Sequence, residues 1–147
     1  MSGPVDPVAV MLDGLVEDVH LDELHARVGA LFGFGSEASA RGLLELAASA
    51  FLACGASQAD PMVFDELEHR YLPELPVRGN AAHQKRRYAL TAAVLIASGV
   101  EPEGTWWWRN DNLWSYAFDA VVVFVRAASE RRQLPIATIC LALRDPA

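Results

Sequence analysis

Long hydrophobic runs are missing from this chain: no stretch of about 18 apolar residues occurs, so no transmembrane helix is expected. The opening MSGPVDPVAVMLDG is acidic and has no basic region ahead of an apolar one, which argues against a secretion signal. Cysteine is scarce. Cys54 and Cys140 stand alone in apolar surroundings, so buried reduced thiols and a cytoplasmic location are expected rather than a disulfide. Cations are thin in the first half: residues 1–68 carry 12 acidic and 2 basic side chains, whereas residues 69–147 carry 7 and 10. The two halves either neutralise one another in the fold or support self-association. The overall charge of −7 disfavours nonspecific attraction to nucleic acid or anionic membrane. Also absent are a phosphate-cradling glycine loop, a nucleophile elbow and any Cys/His zinc spacing. Gly33-Phe34-Gly35 follows no strand and reads as a helix stop.

What the chain does have is a crowded stretch from Thr105 to Arg132, with four tryptophans at its entrance. Asn110, Asp111 or Asn112 can cap a helix there. Leu113, Ala117, Val121, Phe124 and Ala128 make one apolar face at helical spacing, and Trp114, Phe118, Val122 and Val125 make a second beside it. Only Ser115, Asp119, Arg126 and Glu130 leave a narrow polar seam. A helix apolar nearly all round belongs in a core, surrounded by others. The run Val121-Val122-Val123-Phe124-Val125 also fits a buried strand. The length without Gly or Pro favours a helix near 112–132.

Asp6-Pro7 opens the first helix, with Val8, Met11, Leu12, Leu15 and Val19 inward. Asp22 is expected to cap a second, with Leu24, Val28, Leu31 and Phe32 inward. Ser36-Glu37 starts an alanine-rich third that ends at Gly55. Its small residues let a neighbour come close. Asp60-Pro61 opens a fourth, with Met62, Val63, Leu67 and Tyr71 inward and Pro73 as its stop. LPELPVRG is a proline-bounded connector. A fifth helix runs from about Asn80 to Ser98, basic for two turns and then apolar. That change predicts a protruding front and a buried back. Pro135 leads a last segment, IATICLALR, readable as helix or strand and taken here as helix.

Three constellations invite chemistry. Glu-x-x-His occurs as Glu17/His20 and Glu66/His69, a spacing used by di-iron bundles. Both pairs lie off the inward stripes, which makes solvated surface the better reading and a carboxylate-bridged metal site an alternative. Arg78 and His83 have the separation used by one class of small metal-independent ribonucleases. There the histidine acts on the 2′-hydroxyl or leaving group and the arginine steadies the phosphorane. Gly79 departs from the polar residue usual after that arginine. The same segment (Arg78, Asn80, His83 and Arg87) is the candidate anion site, because cations at a helix start call for a compensating anion. Glu66, Glu68 and Glu74 could supply it internally. Finally, Trp106, Trp107 and Trp108 cannot all point into one core. With Arg109 beside them they are the candidate partner surface.

These readings converge on one all-α domain spanning 1–147, a bundle of five to seven helices. The leading function is a non-enzymatic interaction or regulatory protein, antitoxin- or immunity-like, that binds through aromatic and acidic surface. A basic protein partner and a homodimer are expected; a cofactor, a membrane and nucleic acid are not.

Overall fold

The computed structural model describes residues 6–31, 37–55, 64–72, 79–102 and 113–144, with side chains at all of these except 37–40, 64–65, 79–84 and 113. Among them the chain forms seven α-helices and no strand: α1 (Pro7–Val16), α2 (Leu21–Gly29), α3 (Glu37–Ala53), α4 (Phe64–Tyr71), α5 (Gly79–Ala97), α6 (Leu113–Arg132) and α7 (Ile136–Arg144). The fold is all-α, as the periodicity predicts. The last segment is helical, so the strand reading of IATICLALR falls.

The ends of α1 show how sequence sets its limits. Asp6 Oδ1 accepts the amide of Val8 at 3.0 Å, and Pro7 occupies the first turn, where its missing donor costs nothing. At the far end the Val19 amide donates to the Gly14 carbonyl and the Asp18 amide to that of Leu15, a Schellman closure with Asp18 left-handed at φ 57°. Met11, Leu12 and Leu15 are buried, with Val8 and Val19 packed beside them.

α2 departs from expectation at both ends. His20, not Asp22, is its N-cap: the His20 Nδ1 accepts the Asp22 amide at 3.2 Å. Asp22 instead sits in the first turn, where a carboxylate suits the helix dipole. Leu24 and Val28 are buried as predicted, but Leu31 stands exposed beyond the helix end. Phe32 lies outside the described residues.

The valine-rich span is helical despite its β-branched side chains. Their propensity cost is a few tenths of a kcal/mol each, small beside the roughly 1.5–3 kcal/mol released by burying each such side chain. From Ser115 to Val125 every residue of α6 is buried. α6 packs against α2, α3, α4, α5 and α7, and α3 also packs against α5. Ala47, Ala48 and Ala50 bury the small-residue face of α3, and the Phe51 ring meets Phe124 edge-on at 5.3 Å. α1 lies against α2, α3 and α7. All of these helices contribute to one hydrophobic cluster.

α5 buries Ala89, Leu90, Ala92 and Ala93 along its back; of its basic front, Arg87 is exposed and the side chains of 79–84 lie outside the described residues. Arg86 is buried as well, because two carboxylates meet it inside. Asp60-Pro61, Met62, Val63 and most of the LPELPVRG connector lie outside the described residues.

Candidate functional site

The polar seam of α6 is where charge enters the core, and each of its four members is bonded to a neighbouring helix. Ser115 Oγ lies 2.7 Å from His25 Nε2 on α2. The His25 ring rests 4.6 Å from that of Trp114 and meets Phe118 edge-on at 5.1 Å. Gly29 makes room for this: a Cβ there would sit 2.6 Å from the Trp114 ring. Asp119, fully buried, accepts from Arg86 Nε of α5 at 3.1 Å, and Glu68 Oε1 of α4 stands 3.7 Å from the same guanidinium. Arg126 donates to the Tyr71 carbonyl at 2.7 Å. Glu130 accepts from the Tyr71 hydroxyl at 3.0 Å and from both ends of the Arg70 guanidinium. Paired and hydrogen-bonded, the buried Ser115, Asp119, Arg86 and Glu68 are tolerable in the interior, while Glu130 stays at the surface. They tie α2, α4 and α5 to one face of α6. Ser115 is itself buried, so its bond with His25 works as a tie and does not present a nucleophile to solvent.

The candidate residues read from sequence are scattered. Asn80 and His83 fall in the first two turns of α5, with side chains outside the described set; Arg78 lies outside it altogether, and Arg87 is exposed. Lys85 Nζ sits 5.9 Å above the Tyr116 ring, and Arg86 is held by Glu68 and Asp119. Of the three glutamates proposed to balance this basic segment, Glu68 is the one found beside Arg86. Trp106, Trp107, Trp108 and Arg109 are outside the described residues.

Glu17, His20, Glu66 and His69 are all exposed. The first pair is also split by the chain: α1 ends at Val16 and α2 begins at Leu21, so Glu17 and His20 are not one turn apart on a helix. Glu45, on α3, lies 3.6 Å from Arg41. Among the described residues no group of three or more His, Cys, Asp and Glu could hold a metal ion.

Two surface features have more to offer. On α1 and α2 the carboxylates Asp6, Asp13, Glu17, Asp18, Asp22 and Glu23 are all exposed. Arg27 meets Glu23 at 2.9 Å, and Arg144 reaches across from α7 to Asp13. The second feature is a groove of about 310 Å³ between α1 and α7, lined by Asp13, Val16, Glu17, Ala137, Cys140, Leu141 and Arg144. Its walls are aliphatic and its charges sit at the rim. Val16 is 46% exposed and Leu141 68%. Sequence reasoning passed over this groove. Its signals were an apolar Val16 off the inward stripe of α1 and a Leu141 left outside once the last segment is helical.

Both cysteines are free and buried, Cys54 with its thiol directed at the carbonyls of Ala50 and Phe124. Burial pushes each thiol up to about 11, which keeps them protonated and unreactive at neutral pH. No helix among the described residues is long and apolar enough to cross a membrane. Comparison of the chain with family models, with curated proteins and with solved structures finds no match.

Proposed function

We propose that this protein is a non-enzymatic partner-binding module, antitoxin- or immunity-like, whose acidic α1–α2 edge meets a basic protein. The observation that carries this reading is the exposure of all six carboxylates from Asp6 to Glu23, against two arginines, Arg27 on Glu23 and Arg144 on Asp13. A field of one sign over one edge raises encounter rates with an oppositely charged partner and fixes its register. The ionisable side chains of the α6 seam are already engaged in bonds between helices, which supports a structural role for them. Trp106, Trp107, Trp108 and Arg109 form a second contact surface in this reading. Homodimerisation belongs there rather than on the acidic edge, where two copies would repel.

The test is in-cell cross-linking and affinity recovery with the wild type and with a doubly reversed variant, Asp18→Lys/Asp22→Lys. The expected result is a basic protein recovered by the wild type and lost from the variant at physiological salt. Identical recovery by both would overturn the reading. The ribonuclease alternative has its own signature: RNA cleavage that vanishes in both Arg78→Ala and His83→Ala while Trp107→Ala leaves it intact.

A further inference from the structure

We infer that the groove between α1 and α7 takes an amphipathic helix of a basic protein partner, its aliphatic side chains seated between Val16 and Leu141 and a lysine or arginine beside Glu17. This rests on the partner-binding reading above and names the place and the chemistry of the contact. The groove is built from matched helical faces: Asp13, Val16 and Glu17 stand at i, i+3 and i+4 on α1, and Ala137, Cys140, Leu141 and Arg144 at i, i+3, i+4 and i+7 on α7. Its volume of about 310 Å³ is at the lower limit for small-molecule pockets, and no set of polar groups converges inside it. That suits a few aliphatic side chains rather than a drug-sized ligand. Helix-in-groove recognition uses such anchors at i, i+3 or i+4 and i+7.

Charge selects the occupant. At one end Asp13 and Arg144 cancel one another. At the other, Glu17 caps the C-terminus of α1 and Asp18 follows it, with no basic residue in the last turn of that helix. Carboxylates at a helix C-terminus add to the negative end of the dipole, where a cation is favourable instead. A lysine or arginine arriving from a partner therefore finds Glu17 and the helix end at the lip of an apolar groove. A second copy of this chain is the poorer occupant: each copy carries −7, and the lip of the groove has the same sign on both.

The experiment uses the full chain and two labelled helical peptides of about 18 residues with identical leucine faces, one with lysines on the polar face and one with glutamates. Fluorescence anisotropy is read for the wild type, Leu141→Asp and Glu17→Lys, both exposed positions where folding is retained. The lysine peptide is expected to bind the wild type, and about tenfold more weakly each variant. The glutamate peptide is expected not to bind. Equal binding of the two peptides, or a lysine peptide indifferent to both substitutions, would overturn the assignment. So would a wild-type dimer that Leu141→Asp disperses, because the occupant would then be a second copy. If the groove variants change nothing while the Asp18→Lys/Asp22→Lys variant still loses its cellular partner, only the groove fails. If that variant keeps every partner, the function reading itself falls.

Discussion

Arg86 is the residue whose environment is most demanding. Its guanidinium is nearly excluded from solvent and neutralises Asp119 and Glu68, which are buried with it. Such a cluster adds little net stability over apolar packing, yet removing its arginine is costly, because buried carboxylates lose a cation. Arg86→Ala takes this cation away from Asp119 and Glu68 and is expected to cost about 3–5 kcal/mol in urea unfolding. Asp119→Ala still leaves Glu68 beside the arginine and is expected to cost less. Equal losses would show that the two carboxylates do not share this cation. The thiols supply a second residue-scale prediction. Burial moves Cys54 and Cys140 from an ordinary 9.0 up to about 11. The folded state therefore keeps its full stability below pH 9 and loses part of it as pH rises towards 11, since the unfolded chain ionises first. A Cys54→Ala/Cys140→Ala variant is expected to show a flatter alkaline limb. At pH 8 a thiol reagent is expected to modify the wild type only as it unfolds.

At the scale of the element, helix ends separate what sequence can announce from what it cannot. Gly99 closes α5 in the left-handed region at φ 80°, and a glycine there is a recognisable stop. Asp18 after α1 and Gln133 after α6 adopt the same conformation at φ 57° and 55° without any such marker. Their amides and those of the next residues satisfy the last carbonyls of the helix all the same. Gln133→Gly is expected to raise stability by about 0.5–1 kcal/mol, since the side chain opposes that backbone geometry. A decrease would mean that Gln133 makes contacts outweighing the strain. His20 as the cap of α2 was illegible for a similar reason: a cap is read from Ser, Thr, Asp or Asn, and a ring nitrogen does the job here. The start of α1, by contrast, was legible from Asp6-Pro7, and the helical state of α6 from a long apolar span free of Gly and Pro, whereas the end of α1 at Val16 falls short of the stripe that runs to Val19. The burial of Arg86 was not, because its cause lies on α6, 33 residues along the chain.

For the whole molecule, the uneven charge of the sequence resolves into two arrangements. Part of it is neutralised internally: Arg70 meets Glu130, Arg41 meets Glu101, and Arg144 meets Asp13. The half-buried Arg41 guanidinium holds the exposed Glu101 carboxyl below its usual range by hydrogen bonding. Among the described residues, a further share remains displayed on α1 and α2, beside the aliphatic groove. The measurement that bears most directly on this account is a ¹⁵N-edited NMR titration of the full chain with the lysine-faced amphipathic peptide. Shifts confined to the amides of Val16–Asp18 and Ala137–Leu141, shrinking as salt is added, are the result expected. Shifts gathered at the first turns of α5 or on the tryptophan indoles, with α1 and α7 unmoved, would contradict it.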